Sequence, residues 1–253
     1  MAAVTRIQLC GRLVVLLDGR RIDDRLPARQ GRVLFAFLAA NRVRPVTRDE
    51  LTGALWPEDP PDASEAALSA LLSKLRRALP PECLHGRSEL QLVLPDGALV
   101  DLEAAGEAIH RAEAAITRRD WVTAWPAARI ALHTAARGFL VGLAGEWVEA
   151  QRADVHHLHV RALEAVAEVG LGLGHHELLS TERCGRALVA LEPFRESGYR
   201  YLMQAFEARG NTAEAVRVYD RLRVVLREEL GVAPGAETQS LHRRLLTPRG
   251  SLP

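Results

Sequence analysis

The first forty residues combine short apolar runs with turn residues, followed by a helical pattern. Residues 4–22 contain apolar runs separated by Gly11 and by Asp18-Gly19, and Asp-Gly between apolar runs favours a tight hairpin. We therefore predict two or three short strands. Residues 29–41 then carry apolar side chains at helical spacing, which predicts a first helix.

A second, short helix is predicted to begin at Thr47. Thr47 and Glu50 have the spacing of a capping box, in which each residue satisfies a free backbone N–H of the first turn. Trp56-Pro57 ends this helix, because the residue before a proline disfavours helical geometry. We also expect Trp56 to anchor the turn that follows.

A third helix and a hairpin complete this half of the chain. Asp62 or Ser64 is expected to cap the helix, which runs to Leu79 and ends at a proline pair. Residues 83–100 predict two short strands. Strands, three helices and a hairpin in this order are typical of an α+β winged helix-turn-helix, whose third helix enters the DNA major groove.

After residue 100 the pattern becomes almost wholly helical. Gly210 opens a turn between two helices, and Gly174 stands in a matching place 36 residues earlier, close to the tetratricopeptide period. The predicted fold class is therefore mainly α, with a winged helix (1–100), a tetratricopeptide-like all-α domain (101–247) and a tail (248–253). Four large aromatic residues could line a ligand pocket, but aromatic side chains more often form cores, so we assign them to the core of the repeats: Trp121, Trp125, Trp147 and Tyr219.

Composition adds the class of protein. The chain has 253 residues, 33 basic and 32 acidic, and 48% of them are hydrophobic, which is ordinary globular composition. The longest apolar run, residues 33–40, is too short to span a membrane. No secretory signal opens the sequence, so we expect a cytoplasmic protein without a membrane partner.

Several kinds of chemistry are set aside. Lys74 is the one lysine, and it lacks the preceding glycines of a phosphate-binding loop. Ser180 stands where a zinc-protease motif starting at His176 needs its second histidine. The three cysteines are far apart in sequence and are expected to be reduced and buried. The sequence therefore predicts no enzyme, no metal site and no cofactor.

The third helix carries the predicted DNA-binding chemistry. Its leucines face one side, and Ser73, Lys74 and Arg77 lie opposite them, where they can reach phosphates or base edges. A helix that ends in cations can also be only a solvated face with charges placed well for its dipole. Residues 1–57 hold 10 basic and 5 acidic residues, but acidic residues then cluster before and within the start of this helix: Glu58, Asp59, Asp62 and Glu65.

Motifs in both halves resemble those of the SARP family, which are antibiotic-pathway regulators of actinobacteria. In the first half these are residues 44–51 (RPVTRDEL), 55–57 (LWP), 60–61 (PP) and 72–79 (LSKLRRAL). In the second half they are residues 191–196 (LEPFRE), 201–203 (YLM), 210–211 (GN), 213–215 (AEA), Tyr219 and 228–234 (EELGVAP). The resemblance implies an OmpR-like winged helix joined to a bacterial transcriptional activation domain.

The resemblance also implies partners. These are double-stranded promoter DNA, RNA polymerase including its sigma subunit, and a second protomer on tandem direct repeats. The wing differs from that of many relatives: residues 85–94 are short, contain Arg87 as their one cation and lack a Gly-Tyr pair. The predicted DNA-binding residues are Arg29, Thr47, Arg48, Trp56, Ala70, Ser73, Lys74, Arg77 and Arg87.

An alternative remains open from the residues. The chain could be a tetratricopeptide-type interaction or sensor module whose winged helix binds DNA only weakly. The ending TPRGSLP is typical of a linker or a free tail, so the chain could also be the front end of a longer regulator.

Overall fold

The computed structural model describes residues 4–58 and 61–247, so the predicted tail at 248–253 lies outside the described residues. Within the described part of the chain, seven short strands precede residue 101. They are β1 (Arg6–Gln8), β2 (Val14–Leu17), β3 (Arg20–Arg21), β4 (Val46–Thr47), β5 (Leu84–His85), β6 (Glu89–Leu92) and β7 (Leu99–Val100). Three helices lie between them: α1 (Arg29–Ala40), α2 (Arg48–Leu55) and α3 (Ser64–Ala78).

Seven helices make up the rest of the described chain. They are α4 (Asp101–Thr117), α5 (Trp121–Ala135), α6 (Glu146–Leu173), α7 (Leu178–Leu191), α8 (Glu196–Ala208), α9 (Thr212–Leu230) and α10 (Ala236–Leu246). This confirms the predicted fold class, an α+β winged helix followed by an all-α domain. None of these described helices combines the length and the apolar character that a membrane span requires.

The strands form two sheets. In the first, of order β3-β2-β1-β7, β1 pairs antiparallel with β2 and parallel with β7. The predicted hairpin turn joins β2 and β3, and its residues Asp18 and Gly19 have φ of +47° and +75°, as a two-residue hairpin turn requires. The second sheet, of order β4-β6-β5, contains the wing hairpin β5–β6.

One strand of the 83–100 region was not predicted. Three strands form there instead of two, and β7 leaves the hairpin to join the first sheet. Leu99 donates its backbone N–H to the Thr5 carbonyl at 3.0 Å, and Ile7 pairs with Val100. Such a pairing over more than ninety residues is invisible in a local apolar pattern, because its partner strand is remote in sequence.

The two predicted helix starts have different outcomes. Thr47 is the N-cap of α2 and forms the capping box with Glu50, as predicted. The N-cap of α3 is Ala63, with no side-chain cap, so the prediction of Asp62 or Ser64 was wrong. The reason is the turn before the helix: Ser64 donates its N–H to Pro61, and the Ala63 carbonyl accepts the first helical bond, from Ala67.

The described residues form two compact units that are not continuous in sequence. The first contains the described residues up to Glu107 together with His133–His157, and the second contains Ala108–Leu132 and the described residues from Leu158 onward. The predicted domain boundary near residue 100 stays a prediction.

Residues 138–141 extend the first sheet. Gly11 donates its N–H to the Gly138 carbonyl at 2.6 Å, and Leu140 donates to the Leu9 carbonyl at 2.9 Å. Between them, Cys10 and Phe139 form an antiparallel bridge. The loop between α5 and α6 therefore belongs to the winged-helix unit through backbone pairing.

Two side-chain contacts fix the same loop. Buried Asp101 accepts hydrogen bonds from the Leu9 N–H at 2.7 Å and from Arg137 Nη2 at 2.9 Å, and its burial raises the pKa of its carboxyl group. Trp147 packs against Phe37 and Phe139, with ring centroids 5.0 and 5.6 Å apart. The assignment of Trp147 to the repeat core was therefore wrong, because its ring packs against core residues of the first unit.

The second unit repeats a helix–turn–helix arrangement. Gly174 and Gly210 adopt positive φ in the turns before α7 and α9, as the repeat predicted. The small residues Ala124 and Ala215 are fully buried, which lets neighbouring helices approach closely. Trp121 and Trp125 pack against one core cluster of this unit and Tyr219 lies in another, so these three predictions are confirmed. The three cysteines are buried, as expected.

Candidate nucleic-acid interface

Helix α3 separates an apolar face from an exposed face. Leu68, Leu72 and Leu75 are at most 1% exposed, so this face of α3 packs into the core of the first unit. The exposed face presents Ser73, Lys74 and Arg77, as predicted, together with Ala66 and Ala70. Its small alanines leave the backbone of α3 open to close approach by a partner surface, and the three polar side chains lie in its C-terminal half.

The long polar side chains of this face are available to a ligand. Arg77 donates Nε to the Ser73 carbonyl at 3.3 Å, one turn back along the helix, and forms no ion pair within the described chain. Lys74 likewise has no ion pair there. Both cations stand near the C-terminus of α3, where they also complement the helix dipole.

Arg48 is bound within the protein rather than free. Its guanidinium donates Nε to Glu65 at 2.9 Å and Nη2 to the Ser69 hydroxyl at 2.7 Å, and its side chain is 23% exposed. A weaker bond of 3.4 Å reaches the Arg87 carbonyl in the wing. Arg48 thus joins α2, α3 and the wing, and Glu65 neutralises part of its charge.

The wing is held against α3 by a second arginine. Arg76 Nη2 donates to the Gly86 carbonyl, at the turn of the β5–β6 hairpin. Arg87 follows and is exposed. Arg76, Glu65 and Ser69 were not predicted as interface residues, and they lie on the flank of α3 between its leucine face and its exposed face. The helical periodicity of α3 contained a signal for these three residues. Their flank is polar, although it lies beside the leucine face and not opposite it.

The other predicted residues are more dispersed. Thr47 is exposed, but its hydroxyl and backbone N–H are engaged with Glu50 in the capping box. Trp56 is half-buried and is the C-cap of α2. Arg29 begins α1 and donates to the Ala144 carbonyl at 3.1 Å, so its guanidinium is bound to the α5–α6 loop. Of the predicted set, Arg48, Ala70, Ser73, Lys74, Arg77 and Arg87 lie on α3 or on elements that contact it.

Further local charges are paired near α2. Arg44 donates to Glu50 at 2.6 Å. This bond, together with the backbone N–H of Thr47, lowers the pKa of Glu50 to about 2. Glu50 therefore stays ionised and keeps the capping box intact at neutral pH, and Arg44 is partly neutralised. Of the acidic residues that cluster before and within the start of α3, Asp59 lies outside the described residues.

The turn of the wing hairpin contains a glycine with positive φ, Gly86. Gly86 has φ of +84°, and an added Cβ would lie 1.8 Å from the Glu89 carbonyl oxygen. We expect Gly86→Ala to distort the turn and to lower the free energy of unfolding by about 2 kcal/mol or more, because strain and a steric clash add. Chemical denaturation of the full chain measures this loss.

Gly97→Ala is the matched control. Gly97 also has positive φ, +79°, but an added Cβ meets nothing within 4 Å, so only the backbone strain remains. We expect about 1 kcal/mol there. Equal losses in the two variants would show that the tight approach to Glu89 does not constrain the wing.

Comparison with known proteins identifies the class of this architecture. Residues 100–246 match the family model described as bacterial transcriptional activator domain. Regulatory protein AfsR of Streptomyces coelicolor is 35% identical over 231 residues, which cover 90% of this chain and 23% of AfsR. Regulatory protein DnrI of Streptomyces peucetius is 27% identical, with 95% of this chain and 92% of DnrI covered.

A solved structure extends the likeness to both halves. Mycobacterium tuberculosis EmbR, in a structure with a low-affinity phosphopeptide, superposes with a TM-score of 0.79 at 26% identity. The match covers 96% of this chain and 65% of that chain. The chain therefore spans about a quarter of the length of AfsR and about two thirds of EmbR.

In fold, motifs and relatives the chain is similar to transcriptional regulators of the SARP type. The chain belongs to the bacterial transcriptional activator domain family, which its residues 100–246 match. AfsR and DnrI are named regulatory proteins, and EmbR is named a transcriptional regulatory protein.

Proposed function

We propose that this chain is a sequence-specific DNA-binding activator of transcription that recruits RNA polymerase. The observation that carries the proposal is the exposed face of α3, where alanines are combined with Ser73, Lys74 and Arg77 opposite a buried leucine face. A major groove about 12 Å wide admits such a helix, and small side chains allow its backbone to lie deep in the groove.

The side chains of this face divide the work of recognition. Lys74 and Arg77 supply the charge for phosphates and the donors for guanine edges, and Ser73 adds a short donor or acceptor. Arg76 and Arg48 act as positioning residues, because they hold the wing and the start of α2 against α3. Arg87 is the one cation that the short wing offers to the phosphates.

The second half of the chain supplies protein contacts. In this proposal residues 1–100 bind DNA, and residues 101–247 contact RNA polymerase, including its sigma subunit, and a neighbouring protomer. In this proposal the process regulated is a secondary-metabolite pathway, as the resemblance to the SARP family implies. The protein acts in the cytoplasm, on the nucleoid.

Two protomers bind tandem direct repeats in this proposal. A single recognition module buries only about 600–1,000 Å² on DNA, and a second protomer on an adjacent site raises the effective concentration of each. Recognition helices that enter the same face of the duplex require repeats about one helical turn apart, roughly 10–11 bp, or a multiple of it.

Repeat spacing tests the arrangement. We expect cooperative occupancy to be lost when about 5 bp, half a turn, are inserted between the repeats, and to be partly restored by a full turn. Footprinting over a protein titration measures both. The control is a set of DNAs that carry one repeat and the same insertions beside it. The affinity of the protein for these DNAs should not depend on the length of the insertion. Protection of an inverted repeat, or insensitivity to spacing, would contradict the tandem arrangement, and loss of all specific binding would favour the interaction-module alternative.

A further inference from the structure

The second unit contains an apolar groove between α7, α8 and α9. Its volume is about 300 Å³, at the small end of the range for binding pockets, and its floor is formed by Val189, Leu202, Phe206 and Val218. This size suits one or two aliphatic side chains better than a cofactor. These four residues and their rim form the apolar groove.

The rim of the apolar groove is mainly positive. Arg186 lies over the Phe206 ring, with its guanidinium carbon 6.0 Å from the ring centroid. Its Nη2 pairs with Glu182 at 2.8 Å, but Glu182 also pairs with Arg209, so two arginines share one carboxylate beside the groove. Arg221 stands on the α9 side and forms no ion pair within the described chain. The one acidic residue of the lining, Glu214, is already paired with Arg217 at 2.6 Å. The groove is therefore suited to an apolar side chain accompanied by carboxylates.

A surface of that chemistry lies elsewhere on the same unit. At the C-terminal end of α9, Leu230 and Val232 are 52% and 50% exposed and stand two residues apart. Glu228 and Glu229 precede them and are exposed; Glu228 has only a long contact of 3.4 Å with Arg227. We call these four residues the acidic knob.

The acidic knob is held in place by hydrogen bonds at the end of α9 and in the loop that follows. Gly231 ends α9 in the left-handed conformation and donates its N–H to Arg227, while Val232 donates to the Leu226 carbonyl at 3.2 Å. Gly235 donates to Glu196 at 2.8 Å, which fixes the loop that follows. A fixed knob loses little conformational entropy when it is bound, so it is pre-organised for docking.

We propose that the apolar groove of one protomer binds the acidic knob of a second copy of this chain. Leu230 and Val232 enter the groove, and Glu228 and Glu229 face Arg221 and Arg186. Two different surfaces meet, so the contact is heterologous and joins protomers head to tail. This inference deepens the proposed function and rests on it for its role, because it names the contact between protomers on direct repeats.

Charge reversal on the full chain tests the contact without DNA. Sedimentation of the wild type over a concentration series is expected to show self-association, which Arg221→Glu and, separately, the pair Glu228→Arg with Glu229→Arg should weaken by about tenfold or more through like-charge repulsion. Arg223→Glu is the matched control: it is on the same helix, about 200° away, and should leave association unchanged. Thermal unfolding of each variant verifies that it is folded.

Mixing the two reversed proteins gives the sharper readout. Arg221→Glu protein keeps an intact knob and the other variant keeps an intact groove, so an equimolar mixture should regain one wild-type contact and associate as a heterodimer. Combining all three changes in one chain should restore self-association. A wild type that stays monomeric at all concentrations, or association that both reversals leave unchanged, would overturn the inference.

Binding to DNA with a single repeat separates this inference from the proposed function. All variants should bind one repeat as the wild type does and lose only cooperativity on two repeats. A wild type that associates with itself but does not bind one repeat would contradict the proposed function and leave the knob-in-groove contact standing. Normal cooperativity of Arg221→Glu on two repeats would overturn the inference alone.

Discussion

Replacing both Lys74 and Arg77 by alanine is expected to weaken binding to promoter DNA by about two orders of magnitude or more, since each groove contact contributes about 1–3 kcal/mol. Both side chains are exposed and form no ion pair in the described chain, so the free energy of unfolding should stay unchanged within about 0.5 kcal/mol. If both contact phosphates, the slope of log affinity against log salt should fall by about two units.

The control removes the same charge from another surface of the same unit. Arg6 and Arg12 are exposed residues on and beside the first sheet, outside α3 and the wing. The double replacement Arg6→Ala with Arg12→Ala should leave affinity and specificity nearly unaltered. An equal loss in both double variants would mean that only the general charge of the unit attracts DNA, and retained affinity without Lys74 and Arg77 would remove α3 from the interface.

The second large effect concerns the loop between α5 and α6. A chain that ends at residue 100 lacks the backbone pairing of residues 138–141 with β1 and its extension, and it lacks Asp101 and Trp147. We expect this fragment to unfold without a cooperative transition and to bind DNA weakly. Circular dichroism during heating measures the first property, and a DNA titration measures the second.

A single change tests the same contact in the full chain. Trp147→Ala should lower the free energy of unfolding of the first unit by about 2–3 kcal/mol, because it removes a half-buried ring from Phe37 and Phe139. Trp147→Phe keeps an aromatic ring at this site and should lose clearly less. A stable, cooperative 1–100 fragment, or no difference between the two Trp147 variants, would show that the α5–α6 loop and the first turn of α6 do not stabilise the winged helix.

These two predictions differ in how much the sequence revealed. The apolar periodicity of α3 determines which side is buried, so the exposed set of Ser73, Lys74 and Arg77 could be derived from the spacing of its leucines alone. The capping box at Thr47 was equally readable, because both partners lie within one turn. The helix breaks at Gly174 and Gly210 were visible for the same reason.

Long-range pairing could not be read in this way. The bridge between Cys10 and Phe139 and the parallel pairing of β1 with β7 join segments whose local patterns do not encode each other. Trp147 was assigned to the wrong unit because aromatic residues in a helical pattern are usually core, but the pattern does not say which core. The bonds that occupy Arg48 and Arg29 were also hidden, since a free and a paired arginine look alike in sequence.

The most direct measurement compares the binding of the full chain to promoter DNA from its own gene neighbourhood and to random DNA of equal length, over a range of salt concentrations. We predict that promoter DNA is bound at least about 10³-fold more tightly than random DNA at physiological salt. We also predict a footprint on direct repeats about one helical turn apart. Equal affinities for the two DNAs, with the same salt dependence, would contradict sequence-specific recognition by α3.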